Sequence, residues 1–406
     1  MYDAIIIGAR CAGASTAMLL ARHGLDVLLV DRATFPSEIP HGHFIHRHGP
    51  ARLARWGVLD RILDTGCPAV TSITSDFGDF PLTGDGLVLD GVPAGLGPRR
   101  EHLDRALVDA AVQAGAELRD GFAVDELTRD GDDRLTGIRG RSVRTGRTAT
   151  EHARIVIGAD GRNSGVARNV GALITESSPT VSCWYFSYWS APGDALEVHH
   201  HDERCVFVFP THDDLLAVMV SWPIARLAEV RSDIEGHLLA AVDAVPGLGE
   251  RVRSGRREER LYGATQLPNF VRRPYGPGWA LVGDASCHKD PYMALGIGDA
   301  LRDAELLADA LAGGLGGAQP LDDALAGYER ARDEATLPAY RENLAWAKLG
   351  SAPPQVLALR AAIRDDPEEA RRFYLAREEM VAPETYFNRE NLARVMAGAH
   401  RPAAAA

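Results

Sequence analysis

The feature that most constrains this chain is the order strand, turn, helix, strand within its first 31 residues. The run AIIIG is short, apolar and β-branched, and ASTAMLLARHG has apolar residues at helical spacing before Gly24. The run DVLLVDR then predicts a second buried strand. Parallel strands need a crossover connection, so this order predicts a βαβ unit in an α/β fold.

The turn of this βαβ unit nearly matches G-x-G-x-x-G. Gly8 and Gly13 occupy the outer glycine positions, while Arg10 replaces the middle one. Glycines permit the tight turn and close packing of the helix, whose N-terminus donates N–H groups to a pyrophosphate. Asp31 lies 23 residues after Gly8, where an acidic residue holds ribose hydroxyls. Taken alone, the motif also fits a glycine-bearing turn without a ligand.

Three further motifs follow the turn: GPRREHLDRAL (97–107), GADGRNS (158–164) and GDASCHKDPYMALGIG (283–298). Together the four resemble the motifs of single-component FAD-dependent aromatic hydroxylases of the p-hydroxybenzoate hydroxylase type and of the related geranylgeranyl reductases. The resemblance covers residues 1–170 and 270–315. It implies a Rossmann-type FAD-binding domain, an interleaved mixed β-sheet substrate domain and a helical C-terminus, with FAD as cofactor and NAD(P)H as reductant.

The resemblance also implies where the cofactor binds. The ADP half would lie at the glycine turn and the end of the second strand, with the backbone of Val124 at the adenine. Arg100 would reach the flavin side, and Asp284 would accept a hydrogen bond from the ribityl chain. The implied cofactor-binding residues are Gly8, Arg10, Gly13, Asp31, Arg32, Arg100, Val124, Asp160, Asp284, Pro291, Gly296 and Ile297. An alternative is that Asp284 caps a helix and Asp160 is a turn residue.

The last motif departs from the usual G-D-A-A-H-x-x-P-P-x-x-G-Q-G. His288 stands one place late, Asp290 replaces a common proline, and Gly298 stands where asparagine often follows. In these departures the motif resembles the branch of the family that contains geranylgeranyl reductase-like oxidoreductases. Because of these departures, the motif predicts the cofactor but does not identify the reaction.

With 406 residues, the chain is expected to form more than one core. Residues 171–271 contain aromatic and β-branched runs broken by turn residues, which predicts an antiparallel sheet. The expected division is an FAD-binding domain at 1–70, 97–170 and 272–330, a substrate-binding domain at 71–96 and 171–271, and a helical region at 331–406.

Composition narrows the possible partners. The net charge of −12 disfavours nucleic acid and anionic membranes as general partners. Charged residues interrupt the most apolar stretch, so we expect no membrane span, and the N-terminus lacks a secretory pattern. Five scattered cysteines without C-x-x-C spacing argue against a disulfide framework or a zinc site. We expect a cytoplasmic monomer or homodimer.

Aromatic residues of the predicted sheet are candidates for contact with an apolar or aromatic substrate. Alternation in WYFSYW would place Phe186 and Tyr188 on one face and Tyr185 on the other, and one face is expected to line a cavity beside the flavin. The candidates are Tyr185, Phe186, Tyr188, Phe207, Phe209, Met219 and Trp222. Each is also consistent with ordinary core packing.

Two histidine clusters have more than one interpretation. In HGHFIHRHG (41–49), His43 or His46 is a candidate for substrate contact or proton transfer, with a surface loop or a metal site as alternatives. Three consecutive histidines, 199–201, point to alternate faces of a strand and do not readily converge on one ion. For these three we expect a solvated turn or edge, and we predict no metal site.

The motifs favour an FAD-dependent monooxygenase that uses NAD(P)H and O2 to hydroxylate or epoxidise a small molecule, in secondary metabolism. A reductase or dehydrogenase of a prenyl or polyketide-like substrate is the first alternative, and a non-redox FAD-binding cyclase is another. A flavin halogenase is disfavoured, because neither CWYFSYW nor any other segment matches W-x-W-x-I-P.

Overall fold

A computed structural model describes residues 1–37, 39, 42–201 and 203–398. It confirms the expected α/β class, with mixed sheets and a helical C-terminal part. The chain divides into two compact units. The first contains Met1–His43, Arg99–Pro179 and Pro268–Asn343, and the second contains Phe44–Pro98, Thr180–Leu267 and the chain from Leu344.

Most strands among the described residues are short, and a few are longer. In chain order they are β1 (Tyr2–Ile7), β2 (Val27–Val30), β3 (Ile45–His46), β4 (Ala69–Val70), β5 (Ile73–Asp76), β6 (Leu82–Gly84), β7 (Val88–Leu89), β8 (Val92–Pro93), β9 (Gly95–Leu96), β10 (Glu117–Arg119), β11 (Phe122–Arg129), β12 (Leu135–Ser142), β13 (Thr148–Gly158), β14 (Ile174–Ser178), β15 (Ser182–Trp189), β16 (Leu196–His201), β17 (Arg204–Pro210), β18 (Leu216–Pro223), β19 (Tyr262–Ala264), β20 (Asn269–Arg272), β21 (Tyr275–Gly276), β22 (Trp279–Leu281) and β23 (Cys287–His288).

Among the described residues, the two longest helices follow the last strand. In chain order they are α1 (Cys11–Arg22), α2 (His48–Arg55), α3 (Leu59–Leu63), α4 (Arg100–Ala114), α5 (Gly165–Asn169), α6 (Leu227–Ser232), α7 (Ile234–Asp243), α8 (Leu248–Ser254), α9 (Gly296–Leu315), α10 (Leu321–Trp346), α11 (Pro354–Ile363), α12 (Pro367–Arg377) and α13 (Arg389–Gly398). No helix among the described residues is both long enough and apolar enough to cross a membrane.

The first unit is built on the predicted βαβ arrangement. Strand β1 pairs in parallel with β2 on one side and with β13 on the other, and β10 and β22 extend this parallel sheet. The early half of β13 pairs antiparallel with β12, which pairs with β11. Helix α1 packs against α4 and α9. The carboxyl ends of β1, β2 and β13 therefore lie side by side at one edge of the sheet.

Both ends of one helix differ from the sequence expectation. The segment LDRALVDAAVQAGAE predicts a helix over 103–117, whereas α4 begins at Arg100 and ends at Ala114. Gly115 adopts φ +110, a left-handed conformation that suits glycine and ends the helix. The chain then turns directly into β10, which starts at Glu117.

The second unit contains the predicted aromatic sheet. Its strand order is β19, β15, β18, β17, β16, β5, β6, and all neighbours pair antiparallel except β16 and β5, which are parallel. Helices α6, α7 and α8 supply apolar residues that pack on one face of this sheet. The histidine strand β16 lies between β17 and β5, so the expectation of a solvated edge for residues 199–201 is wrong.

The boundaries of the units differ from the expected domains in several places. Residues 44–70 belong to the second unit, because β3 and β4 both pair with β9. The chain from Leu344 also belongs to that unit rather than standing apart, since α12 packs against β6 and the Tyr374 hydroxyl donates to the Leu82 carbonyl. Residues 331–343 belong to the first unit.

Candidate functional site

The glycine turn lies between β1 and the start of α1, at the carboxyl edge of the parallel sheet. Gly8 has φ +103, and a Cβ added there would lie 2.5 Å from the Ala159 carbonyl oxygen. A Cβ on Gly13 would lie 1.7 Å from the carbonyl oxygen of Gly8. Both positions therefore exclude any side chain, because backbone atoms cannot move away from it. The turn is held as close to the helix as a pyrophosphate-binding turn requires.

Arg10 replaces the middle glycine without backbone strain. Its φ of −95 and ψ of −162 are ordinary extended values that any residue adopts. Its guanidinium donates to the Asp104 carboxylate at 2.6 Å and to the Ser37 hydroxyl at 3.1 Å. The Arg10 side chain is thus joined to α4, and its backbone keeps the geometry of the turn.

Asp104 pairs with a second guanidinium. Arg100 Nη2 lies 2.9 Å from Asp104 Oδ1, one helical turn away, and the Asp104 side chain is fully buried. Burial alone would lower the pKa of Arg100, but the charges around it, including Asp104 and Asp284, reverse this, so its pKa is raised and it stays charged. This arginine, carboxylate, arginine cluster lies directly beside the start of α1.

The second strand ends at Asp31, as the motif requires. Asp31 Oδ2 accepts a hydrogen bond from the backbone N–H of Ala9 at 2.8 Å, and Oδ1 accepts one from Ala33. Each carboxylate oxygen keeps a lone pair for another donor. Arg32, the next residue, is exposed. Val124 lies half-buried on β11, paired with Gly140.

Asp160 is engaged with its own loop. Its Oδ1 accepts from the Ser164 hydroxyl at 2.5 Å, and its Oδ2 accepts from the backbone N–H groups of Gly165 and Val166. These bonds hold the turn after β13 and the first turn of α5. The side chain therefore stabilises this turn, which is the alternative role given in the sequence analysis. The preceding residue, Ala159, is the one whose backbone lies against Gly8.

Asp284 and Gly296 line the same concave surface in the first unit. Gly283, which precedes Asp284, has φ +61, and a Cβ there would lie 2.7 Å from the Ala12 Cβ, so this segment packs directly on α1. Gly296 begins α9, and a Cβ added to it would meet nothing within 4 Å. Pro291 is exposed, and Ile297 is buried. The surface is lined by Gly283, Asp284, Cys287, Lys289, Gly296, Asp299, Asp303 and Thr336.

Buried charged residues line part of this surface. Lys289 Nζ contacts Asp299, whose other oxygen accepts from Arg302 at 2.7 Å. Arg302 also donates to Asp303 at 2.7 Å and to the Thr336 hydroxyl at 2.6 Å. Burial alone would lower the pKa of Lys289, but Asp299 outweighs this effect and the pKa is raised. The cluster keeps two cations and two carboxylates paired where α9 begins.

The candidate histidines of the loop 41–49 fall in different surroundings, and His41 lies outside the described residues. His43 belongs to the first unit and is 1% exposed. His46 belongs to the second unit, where its Nδ1 lies 2.6 Å from Oε2 of the buried Glu378. Burial alone would raise the pKa of Glu378, but His46 more than offsets it, and the net shift is downward.

The seven aromatic-sheet candidates do not share one face. Phe186, Met219 and Phe207 are paired across three neighbouring strands, and Tyr188 and Phe209 follow two residues further on the same face. Tyr185 and Trp222 instead lie in the core cluster with residues of α6–α8, because alternate residues of a strand point to opposite sides. A single substrate wall can therefore contain the first five only.

Several charged residues of these sites were not singled out from the sequence. Asp104 lies within the motif GPRREHLDRAL and was the most accessible to motif reasoning. Lys289 and Asp299 also stood in or next to a quoted motif, but their pairing depends on how the loop folds back on α9. Glu378 lies 332 residues from His46, and no local pattern connects them.

The geometry of the first unit fits a dinucleotide cofactor. Two glycines without room for a side chain form the turn before α1, and a carboxylate with spare acceptor capacity ends the neighbouring strand. The open backbone at Gly296 leaves space for a flat group to approach. These are the features that a pyrophosphate, a ribose and a flavin ring each require.

Comparisons with known proteins agree with this geometry. A rifampicin monooxygenase from Rhodococcus hoagii is 27% identical over 383 residues, covering 90% of this chain and 75% of that protein. A digeranylgeranylglycerophospholipid reductase from Methanopyrus kandleri is 27% identical over 328 residues, covering 73% of each. The solved structure of the myxobacterial chondrochloren halogenase covers 98% of this chain and 97% of that one, with a TM-score of 0.76 and 20% identity, which indicates a shared fold.

A family model described as an FAD binding domain matches residues 1–245. This match contains the glycine turn, Asp31, Arg100 and Asp160, and it spans more than half of the 406 residues. The chain therefore belongs to the FAD binding domain family and is an FAD-dependent oxidoreductase.

Proposed function

We propose that the chain is a monooxygenase that uses NAD(P)H and O2 to hydroxylate or epoxidise an apolar or aromatic small molecule in secondary metabolism. The observation that most supports this reaction is the similarity to rifampicin monooxygenase, which is 27% identical and covers 90% of the chain. The redox chemistry, hydride transfer from NAD(P)H and activation of O2, would be supplied by the FAD that the first unit would hold. The protein supplies position, a dry environment and charge.

The first unit would hold FAD through residues that its geometry brings together. The start of α1 would donate N–H groups to the pyrophosphate, and Asp31 would accept from the adenosine ribose. Arg100, kept charged by Asp104, would face the flavin side, and Asp284 would accept from the ribityl hydroxyls. The backbone from Pro291 to Ile297 would lie along the flavin ring, where Gly296 leaves open space.

The second unit would contact the substrate through five side chains that share one sheet face. Phe207 and Phe209 pack with Phe44 at ring-centroid distances of 5.9 and 5.1 Å, and Phe186 packs with Tyr188 at 6.0 Å. Met219 lies between Phe186 and Phe207 in the strand register. An apolar surface of this kind would bind an aromatic or alicyclic substrate and exclude water from it.

His46 is a candidate for moving a proton to or from the substrate. Its Nδ1 contact with Glu378 would hold the imidazole in one orientation. In this arrangement Glu378 is a positioning residue. The pH profile of kcat/KM should then lose one limb in His46→Gln, while Glu378→Gln should move that limb without abolishing it.

A reductase that saturates a prenyl or polyketide-like substrate is the second candidate. The similarity to digeranylgeranylglycerophospholipid reductase favours it, as do the departures in GDASCHKDPYMALGIG. The same FAD-binding residues would serve this reaction without O2. A non-redox cyclase differs from both, since its product would form without net electron transfer.

The experiment measures flavin reduction and oxygen uptake on the FAD-loaded protein. Bleaching of the flavin absorbance by NADH and NADPH is followed anaerobically, and oxygen uptake is followed in air, with rifampicin and a geranylgeranyl lipid as probes. A monooxygenase should consume NAD(P)H and O2 one to one and add one oxygen atom to the substrate, while the other leaves as water. Anaerobic turnover to a saturated lipid would select the reductase, and a flavin that neither nicotinamide reduces would rule out the proposed monooxygenase.

The substrate face is tested with variants on opposite sides of one strand. Phe207→Leu should raise KM and increase uncoupled NAD(P)H oxidation, because the apolar wall is trimmed. The side chain of Val206 lies in the core cluster on the other face, so Val206→Ala should change the stability but not the KM. Equal KM effects from both variants would contradict the assignment of the face.

A further inference from the structure

The second unit contains a cluster of two imidazoles and a carboxylate that FAD chemistry does not use. His199 and His201 lie two residues apart on β16 and point to the same face, while His200 points to the other. Strand β5 runs parallel beside it and places Asp76 opposite His199. One potential ligand atom from each of Asp76, His199 and His201 lies within 4.8 Å of the others.

Two ring nitrogens of this cluster lack a hydrogen bond. His199 is 6% exposed and Asp76 is 7% exposed, so this part of the cluster is withdrawn from water. Within the part of the chain that the structure describes, His199 Nδ1 and His201 Nε2 are buried and have no hydrogen-bond partner. Buried polar atoms normally have a hydrogen-bond partner, so two such nitrogens in a cluster with a carboxylate point to a ligand.

The spacing within the cluster fits a metal ion. His201 Nε2 lies 3.3 Å from Asp76 Oδ2. Two ligand atoms of a tetrahedral zinc ion are about 3.3–3.5 Å apart, because each lies about 2.0–2.2 Å from the metal. An ion between the two imidazoles and the carboxylate would satisfy both unpaired nitrogens and would leave a further position for water.

Supporting contacts hold two of the three ligands. His199 Nε2 lies 3.3 Å from Glu197 Oε2, which leaves Nδ1 as the nitrogen available for a metal. Asp76 Oδ1 accepts from the backbone N–H of Gly78 at 2.9 Å, which leaves Oδ2 for the same purpose. Metal-binding histidines usually donate their other ring nitrogen to a carboxylate in this way. Arg251 does not compete for Asp76, because it pairs with Glu197 Oε1 at 2.6 Å.

From this geometry we infer that Asp76, His199 and His201 bind a divalent transition metal ion of the zinc type. The ion would join β5 to β16, two strands that are more than one hundred residues apart in the chain. By joining these two strands, the ion would stabilise the fold of the second unit. This proposal departs from the sequence-based prediction of no metal site, and it does not depend on the reaction that FAD performs.

The test uses the full-length, FAD-loaded protein after chelator treatment, with Zn²⁺ as the probe. Equilibrium dialysis against buffered free Zn²⁺, read by elemental analysis, should give one ion per chain at micromolar free metal. Asp76→Asn and His199→Gln should each weaken Zn²⁺ binding by about 100-fold or more. His200→Gln, on the same strand but the opposite face, is the matched control and should retain the ion.

Two measurements keep the result decisive if a variant folds poorly. FAD content and circular dichroism identify variants that have lost the fold, and X-ray absorption at the zinc edge examines the wild-type protein directly. The expected spectrum contains two imidazoles and no sulfur. Less than half an equivalent of Zn²⁺ on the wild type, equal binding to His199→Gln, or a shell without imidazole would each overturn the inference.

Discussion

The guanidinium of Arg10 lies 2.6 Å from the fully buried carboxylate of Asp104. The same carboxylate accepts from Arg100, so one carboxylate pairs with two guanidinium groups beside the start of α1. The residue that breaks the glycine pattern is therefore part of the charge structure that surrounds the turn. Because the backbone of Arg10 is extended, glycine is not needed there.

This pairing predicts unequal effects of its two ends on stability. Asp104→Ala should lower the free energy of unfolding by about 3–5 kcal/mol, because it leaves the buried Arg100 charge without its partner. Arg10→Gly should cost about 1 kcal/mol, since Arg100 still satisfies Asp104. Denaturant unfolding of both variants measures the difference.

The Arg10→Gly variant also separates a structural role of Arg10 from a role in cofactor binding. If Arg10 lies along the pyrophosphate, as the motif order predicts, Arg10→Gly should weaken FAD binding in a fluorescence titration while the fold stays intact. An FAD affinity equal to that of the wild type would show that Arg10 contributes only through Asp104.

Gly296 and Gly327 provide a second prediction, because both are helical and tolerate a Cβ. A Cβ on Gly296 meets nothing within 4 Å, and one on Gly327 meets only a side-chain atom at 3.9 Å. Alanine at either position should keep the melting temperature or raise stability by up to about 1 kcal/mol. Only Gly296→Ala should weaken FAD binding, by about tenfold or more, because its methyl group occupies the space proposed for the flavin. Equal FAD affinity in the two variants would place the flavin elsewhere.

Glu378 predicts a pH dependence of stability in the acid range. Burial alone would raise its pKa, but His46 more than offsets this effect, and the pKa of Glu378 lies below 4.5. The folded protein then binds fewer protons at this site than the unfolded chain, so the stabilisation is present above pH 4.5 and is lost as the pH falls through the folded pKa. Glu378→Gln should flatten the fall in unfolding free energy below pH 4.5.

The adjacent Glu379 is the control for that measurement. It pairs with Arg47 and its side chain is 31% exposed. Glu379→Gln should leave the acid limb close to that of the wild type, because a more exposed carboxylate is screened by water. An acid limb that is the same in Glu378→Gln and wild type would refute the coupling to His46.

The cysteines give a prediction about reactivity. All five are free and buried. Burial raises the pKa of the Cys11 and Cys67 thiols to about 12 and that of Cys287 to about 11. Since the thiolate is the reactive form, a disulfide reagent at about pH 8 should modify fewer than one thiol in the native protein. Denaturation should expose all five, and rapid labelling of Cys287 in the native state would contradict its burial.

Local patterns predicted a large part of the fold. The βαβ unit, the glycine turn and the acidic residue at the end of the second strand all follow from spacing within about thirty residues. Alternation in WYFSYW correctly separated Phe186 from Tyr185, because side chains on a strand alternate with a period of two. The order of four motifs then led to FAD.

Pairings between distant segments were not predictable in this way. The contact of His46 with Glu378 and the assembly of Asp76 with His199 depend on which strands and helices meet, and one sequence carries no local record of that. The expectation for the three consecutive histidines was wrong because it considered one strand alone. Two of the three share a face, and the neighbouring strand supplies a carboxylate to them.

The sequence alone determined the α/β class, the nucleotide turn and the cofactor, because each depends on residues close together in the chain or on motifs in a set order. The tertiary structure decided which charges are paired, which aromatic side chains share a face and where imidazoles meet a carboxylate. The physical reason is that burial and electrostatic pairing arise between elements far apart in sequence. They are set only when sheet order and helix packing bring those elements within a few ångströms.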